Sequence, residues 1–346
     1  MSLGWVRNAI GYALLGLLAA APVRGQGSED VNAGQFDFSL PGARSLAMGG
    51  AFIALADDAT SAYSNPAGLI QLGRPEVSLE YRGWDFDATA IDRDHAFGPP
   101  TGIGLDTVAG TLFEAFPSST SGVSFVSLVY PRSRFALGLF AHRFPKFETT
   151  KDIQGAFFDC SGGTLDTDTE PFCQALVADT NGVDRVQPKE QDIKIGLWSA
   201  GATLSVRLGH GLSLGYSGLY YSFSIDSTNR VYSTFDDPFG PKDPSKLDLL
   251  STQQGDDHAF AWNGGFRWSL GSRVVLAGAY RRGPSFDYTN TVTAQVAHRG
   301  ECLSGQACSV ETVRFKVPDT FAAGLAFRPV PPSLTRPLAP SVVYEP

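Results

Sequence analysis

The sequence predicts an all-β fold, a transmembrane antiparallel β-barrel, and three observations lead to it. Beyond Gln26 no run approaches the roughly 18 consecutive apolar residues that a transmembrane helix needs. Apolar and small or polar residues alternate with period two in several segments, as they do on strands whose two faces meet different surroundings. Short turns and long connections alternate between these segments, which is typical of outer-membrane barrels.

The first 25 residues are predicted to be a signal peptide. Arg7 supplies a positive charge, Ala9 to Ala21 is an apolar run, and small residues precede Gln26. This run is too short to cross a bilayer core of about 30 Å as a helix. We therefore expect an exported chain that begins near Gln26.

Composition supports strands and argues against one class of partner. The chain has 38 Gly and 22 Pro, and 12% of its residues are aromatic while only 18% are charged. Such a composition favours turns and pleated, half-buried surfaces. The net charge is −8 and no Lys/Arg cluster occurs, so nucleic acid is not expected as a partner.

About nine strands are predicted from the alternation, which is clearest between Ala259 and Leu270, where Phe260, Trp262, Phe266 and Trp268 share one face. The nine are Glu76 to Trp84, Gly122 to Tyr130, Phe135 to His142, Ile193 to Arg207, Leu212 to Asp226, Ala259 to Leu270, Arg273 to Arg282, Phe321 to Arg328 and Leu338 to Tyr344.

Short and long connections alternate between these strands along the chain. The short ones are Pro131 to Ser133, Leu208 to Gly211, Leu270 to Ser272 and Pro329 to Pro337. The long ones are Asp85 to Thr120, Phe144 to Gln191, Ser227 to Asp257 and Gly283 to Glu311. All long loops are thus placed at one end of the sheet. A β-sandwich, the main alternative, would not keep this parity. Aromatic residues near strand ends suggest interfacial girdles: Tyr81, Trp84, Tyr130, Tyr216, Tyr280 and Phe286.

Residues 26–74 are predicted to form a compact N-terminal hatch that plugs the lumen of a barrel formed by 75–346. Small and apolar residues dominate from Gly42 to Leu69. Gly49 and Gly50 permit positive φ, the pair Asp57-Asp58 can cap a helical turn at Ala59 to Tyr63, and Pro66 stops that turn.

The run Ala47 to Thr60, followed by Asn65-Pro66-Ala67, resembles the N-terminal hatch of the FadL/TodX outer-membrane transport family and its PorV-like relatives. A weaker second match is Val317 to Phe321 with Gly324 to Arg328. The resemblance covers roughly Phe36 to Trp84 and Val317 to Pro329, and elsewhere only the rhythm of strands and loops agrees.

The resemblance implies a fourteen-stranded barrel in the Gram-negative outer membrane, closed by the hatch. It implies passive uptake of hydrophobic small molecules, such as long-chain fatty acids or aromatic hydrocarbons. By position, Asn65, Pro66 and Ala67 form the hatch core, and the residues that shape it are Gly49, Gly50, Asp57 and Asp58. An equally strong interpretation is that the two aspartates serve only the folding of the plug. The alternative functions are a PorV-like scaffold that binds secretion-system proteins and a porin-like protein without specific cargo.

The strand count departs from the family. An open sheet of nine strands would leave backbone groups unsatisfied in lipid, and the sequence ends Tyr344-Glu345-Pro346 without a terminal aromatic residue. Either the long connections contain further strands, or the barrel is C-terminally incomplete. The second explanation is the one we expect.

Three arginines are predicted to point into the lumen, because Arg267, Arg281 and Arg328 fall on the small or polar faces of their strands. One of them would suit a fatty-acid carboxylate. Alternatively they pair with carboxylates of the plug or barrel, such as Asp57 and Asp58.

No motif for catalysis or phosphate binding occurs, so an enzyme and a cofactor are not expected. The cysteines are close enough in sequence to form two local disulfides, Cys160-Cys173 and Cys302-Cys308. Neither pair has zinc-ligand spacing, and Asp166 to Glu170 departs from a calcium loop at Pro171 and Val177. No metal site is expected.

Overall fold

The computed structural model describes residues 40–96, 98–110, 112–159, 183–234, 236–294 and 307–327, except for the side chains of residues 88, 294, 307 and 308. The predicted signal peptide, the predicted strand Leu338 to Tyr344, Arg328, three of the cysteines and the side chain of Cys308 lie outside this description. Both predicted disulfides therefore stay predictions.

Two short α-helices and one 3₁₀ helix precede thirteen strands. The helices are α1 (Ala43–Ala47), α2 (Ser61–Ser64) and the 3₁₀ helix Pro66–Gln71. The strands are β1 (Glu76–Arg93), β2 (Leu112–Pro131), β3 (Phe135–Arg143), β4 (Phe147–Ile153), β5 (Phe157–Asp159), β6 (Val183–Arg185), β7 (Lys189–Gly209), β8 (Leu212–Tyr232), β9 (Leu247–Leu270), β10 (Val274–Arg281), β11 (Ser285–Ala294), β12 (Ala307–Lys316) and β13 (Thr320–Phe327). No helix in the described ranges is long and apolar enough to cross a membrane.

Eleven of the strands form one antiparallel sheet, which confirms the predicted all-β antiparallel class. β3 and β4 pair with successive stretches of β7, and β10 and β11 do the same along β9. β13 pairs with β10 and β12 with β11, so the described sheet has eight rows. It curls into a half-barrel whose described edges are β1 and the β12–β13 row. β5 and β6 form a separate hairpin.

Three of the four predicted short turns are present, and the fourth, Pro329 to Pro337, lies outside the described residues. The long connections were predicted too long. β1 continues to Arg93, and β2 already begins at Leu112. β11 and half of β12 lie inside the predicted connection Gly283 to Glu311. Here polar residues such as Asp85 and Asp87 break the apolar alternation while the backbone ladder continues. Periodicity of hydrophobic side chains cannot detect a strand of this kind.

The two faces of the half-barrel differ as the alternation predicts. In β3, Phe135, Leu137 and Leu139 are exposed, whereas Ala136 and Phe140 are buried. The outer face carries large apolar side chains, of which the most exposed are Phe260 (83%), Val77 (72%), Leu79 (71%), Phe321 (71%), Tyr81 (70%) and Leu325 (69%).

For two of the aromatic residues predicted at the interfaces, Phe286 and Trp84, the prediction of an outward-facing side chain is wrong. Tyr81, Tyr130 and Tyr216 are exposed on the outer face. Phe286 is buried on the inner face, where its ring stacks on Phe223. Trp84 alternates in phase with Arg82, whose guanidinium lies over its ring.

Candidate functional site

The described part of the predicted hatch, residues 40–74, folds through tight turns against the inner face of the sheet. Gly49 and Gly50 have φ of 59° and 82°, the left-handed conformation that the sequence predicts. The second helix begins at Ser61 rather than Ala59, because Asp58 Oδ1 accepts a hydrogen bond from the Thr60 backbone N–H at 2.9 Å and so turns the preceding residues.

Asn65 joins the parts of the hatch to each other and to β9. Its side chain is fully buried, and Nδ2 donates to the carbonyls of Ile53 (2.9 Å) and Phe266 (3.3 Å). Oδ1 accepts from the backbone N–H of Ala67 at 3.2 Å and thereby caps the 3₁₀ helix, in which Pro66 is the first residue.

Side chains of the sheet satisfy the buried carbonyls of the hatch. Thr203 and Ser217 donate their hydroxyls to Ala62 O at 3.2 and 3.0 Å. Ser205 and Ser213 donate to Ala67 O at 3.3 and 3.1 Å. Two longer side chains complete the set, Arg207 on Ile70 O and Asn263 on Tyr63 O. Without these donors the turns of the hatch would bury unpaired backbone groups.

Glycines on the inner face let the hatch backbone approach the strands closely. A Cβ at Gly215 would lie 2.2 Å from Pro66 C, and one at Gly265 would lie 2.2 Å from Asn65 Oδ1. Gly138 and Gly324 are crowded in the same way by Leu69 and Ala54. The sequence analysis missed this role, although inward glycines in strands are a known signal for close approach.

Two carboxylates of β1 hold the hatch from the side. Glu80 Oε2 accepts from the Gly42 backbone N–H at 2.6 Å, and Glu76 Oε1 accepts from Ala59 at 3.2 Å. Arg82 in turn binds Glu80 at 2.6 Å. The sequence analysis did not single out these residues.

Aromatic rings fill the inner face from the hatch toward the long connections. The Tyr63 ring contacts those of Phe140, His142 and Phe144, with centroids 4.8–6.4 Å apart. Farther along, the ring of Phe223 stacks on Phe286 at 5.0 Å and on Phe315 at 5.3 Å. We call these seven residues the aromatic column.

A cavity of about 400 Å³ lies between the hatch and strands β9, β10 and β13. Its apolar walls come from Leu40, Leu46, Ile53, Ala279 and Ala322, and Gly49 and Gly50 border it. Its polar groups are Ser45, Ser64, Asn263, Arg281 and Thr320. This volume is within the usual range for small-molecule sites.

Arg281 is the half-buried cation of this cavity. Its guanidinium carbon lies 4.4 Å from the centroid of the Tyr63 ring. Among the described residues it forms no ion pair and no hydrogen bond through its side chain. A cation over an aromatic face with its donors available can bind an anionic group of a ligand.

The other predicted lumen contacts are placed differently. Arg267 is buried and its Nη1 donates to Ser269 at 2.8 Å. The predicted pairing of Asp57 with a barrel arginine is wrong, because Asp57 binds Arg44 of the hatch at 2.5 Å on an exposed surface. Asp58 is used in the turn before α2.

No protein-family model and no curated protein matches the sequence. Three solved structures are similar at a distance. A FadL homologue of Pseudomonas aeruginosa shares 14% identity with a TM-score of 0.48, over 80% of this chain and 63% of that one. The toluene transporter TodX of Pseudomonas putida shares 16% (TM-score 0.47, 85% and 67%). The toluene transporter TbuX of Ralstonia pickettii shares 15% (0.46, 84% and 69%). The chain thus spans less than two thirds of the first of these proteins.

Proposed function

We propose that this chain belongs to an outer-membrane transporter for hydrophobic small molecules, with the cavity beside the hatch as a ligand site. The observation that carries the proposal is the Arg281 guanidinium at the edge of a mainly apolar cavity. A long-chain carboxylic acid matches both parts, because its chain suits the apolar wall and its carboxylate suits the cation.

The outer face supports the membrane location. Exposed side chains such as Phe260, Phe321 and Leu325 would meet water in a soluble protein, and contiguous apolar surfaces of this kind mark contact with lipid or protein. Antiparallel ladders join the neighbouring rows of the described sheet and pair most of the backbone groups between them, as lipid requires.

The inner face supports passage of apolar rather than ionic cargo. The aromatic column offers successive ring faces, and the hatch occupies the inner face near the short turns. A ligand leaving the cavity along this route would stay among apolar groups. We infer that passage requires displacement of hatch residues.

Replacing Arg281 tests the ligand site. Purified protein in detergent micelles is titrated with oleic acid and with oleyl alcohol, which share a chain and differ in charge. We expect Arg281→Gln to weaken oleate binding about tenfold, the order of a lost charge-assisted hydrogen bond, and to change alcohol binding less than about twofold.

Arg282→Gln is the matched control, because this neighbouring arginine is exposed and does not line the cavity. It should leave both affinities unchanged. Equal loss of oleate and alcohol binding in Arg281→Gln, or no loss at all, would contradict the proposed carboxylate site.

A further inference from the structure

A second site is built into the connection between β1 and β2, far from the hatch. Hydrogen bonds from its backbone N–H and to its backbone carbonyl hold His95 in place there. Its N–H donates to Val108 O at 3.1 Å, and its carbonyl accepts from Gly110 at 2.9 Å. The next residue, Ala96, donates to Phe157 O at 2.7 Å, which joins this connection to β5.

The ring of His95 is oriented by a buried carboxylate. Both side chains are fully buried, and His95 Nδ1 lies 2.9 Å from Asp106 Oδ1. Asp106 Oδ2 accepts hydrogen bonds from the backbone N–H and the hydroxyl of Thr101, at 2.9 and 2.8 Å. When Nδ1–H donates its hydrogen bond to Asp106, the imidazole tautomer that this fixes carries its lone pair on Nε2.

His95 Nε2 has no hydrogen-bond partner within the described part of the chain, although it is buried. It faces Asp159 Oδ1 at 3.8 Å, which is too long for a hydrogen bond. Gly98 keeps the space between them open, since a Cβ there would lie 2.6 Å from Asp159 Oδ2 and 3.8 Å from His95 Nε2. A buried acceptor, a facing carboxylate and a gap thus occur together.

We propose that this gap binds a divalent transition-metal ion of the zinc class, with His95 Nε2 and Asp159 as its protein ligands. Imidazole nitrogen with carboxylate oxygen suits zinc and copper and does not suit magnesium. Metal-binding histidines nearly always donate their other ring N–H to a carboxylate or carbonyl, which is the role of Asp106 here. Because Asp159 is 39% exposed, water can complete the coordination.

Zinc titration of the full chain in detergent micelles tests this site by calorimetry. We expect one saturable Zn²⁺ site and none for Mg²⁺. Asp159→Asn should weaken zinc binding at least about tenfold, and Asp106→Asn about 10–100-fold, as for outer partners of metal ligands. The matched controls Asp236→Asn and His258→Gln replace a loop carboxylate and an exposed histidine elsewhere, and should bind zinc unchanged.

Copper provides a second, spectroscopic measurement of the same site, which begins with the unaltered protein. The electron paramagnetic resonance spectrum of one equivalent of bound Cu²⁺ should show nitrogen coupling from imidazole. The coupling should persist in His258→Gln and His210→Gln and disappear in His95→Gln. Absence of saturable zinc binding, or equal zinc affinity in Asp159→Asn, would overturn the proposal. Both results are independent of the oleate titration.

Discussion

At the scale of single residues, the close fit between hatch and sheet depends on glycines, which have no side chain to occupy the space between them. Gly215 and Gly265 leave room for Pro66 and Asn65, whose backbone and amide occupy the space that a methyl group would need. The sequence predicted Asn65, Pro66 and Ala67 as the hatch core. It could not predict the opposing glycines, because which residue faces a strand glycine is set by tertiary register.

Gly215→Ala should prevent the hatch from seating. Its Cβ would lie 2.2 Å from Pro66 C and 2.3 Å from Ala67 N, both backbone atoms that cannot rotate away. We expect a loss of stability of about 1–3 kcal/mol, as for overpacking, and faster proteolysis of the hatch. Urea unfolding and timed proteolysis in micelles measure the two effects.

Gly218→Ala on the same strand serves as the control, since nothing lies within 4 Å of its added Cβ. This variant should digest like the parent protein. If both substitutions behaved alike, the fit of the hatch to Gly215 would not matter for its seating.

Likewise, which group the Arg281 side chain contacts depends on the tertiary structure. Alternation along Arg273 to Arg282 predicts that this arginine points inward, and the sequence offers carboxylates of the plug or barrel, such as Asp57 and Asp58, as its possible partners. Only the observed fold shows that Asp57 is taken by Arg44 and that Arg281 lies over Tyr63.

At the scale of strands, period-two alternation predicts faces well and lengths poorly. β9 has 24 residues, whereas roughly 9–11 residues of a tilted strand cross a membrane. The alternation is visible between Ala259 and Leu270, near the short turn, where one face is exposed and apolar. From Ser251 to His258 the strand carries polar residues on both faces, and the sequence there resembles a loop.

Arginine substitutions at two depths should locate the lipid-facing band. Leu325 in β13 and Val310 in β12 belong to the same row and are similarly exposed, at 69% and 64%. Leu325 lies near the short turns and Val310 near the long connections. In lipid vesicles, Leu325→Arg should lower the free energy of unfolding by about 2–4 kcal/mol, and Val310→Arg should lower it by less than about 1 kcal/mol.

Folding equilibria in vesicles and in a parallel detergent series provide the measurement. Equal costs at both positions would show that the membrane boundary is not between them. Lack of any cost at Leu325 would argue against lipid contact on this face.

At the scale of the whole molecule, ion pairs hold the part of the sheet near the long connections, whereas neutral groups hold much of the hatch. Lys242 Nζ lies 2.6 Å from both Asp152 Oδ1 and Glu190 Oε1. Hydrogen bonds from Lys242 and Tyr232 lower the pKa of Glu190. Those from Arg230 and Thr150 lower the pKa of Asp192.

Acid should therefore loosen this ion-paired part first. A carboxyl whose pKa is lowered by folding stabilises fully above its ordinary pKa near 4, and the contribution is lost as the pH falls through the lowered value. Hydrogen exchange at neutral pH and at about pH 3, corrected for intrinsic rates, should show lost protection in 189–192 and 240–246 and little change in 65–71.

Lys242→Met should reduce this acid response, because Glu190 then loses its cation at all pH values. Lys246→Met is the matched control, since Lys246 pairs instead with the exposed Asp236. Equal loss of hydrogen-exchange protection at low pH in the hatch and in the ion-paired part would contradict this difference between the two parts.

The hydroxyls that bind the hatch carbonyls bear on how fast the hatch can leave. Each has a second partner within the sheet: Ser205 lies 3.4 Å from Leu214 O, Ser213 lies 3.3 Å from Arg267 O, and Thr203 and Ser217 lie 2.8 Å from each other. A hydroxyl of Ser205 or Ser213 that loses the hatch carbonyl can rotate onto that partner, and one hydroxyl of the Thr203–Ser217 pair can donate to the other, so three of the four sheet donors keep an acceptor. If the hatch is displaced as proposed, we expect these exchanges of partner to lower the enthalpic cost of breaking its contacts with the sheet.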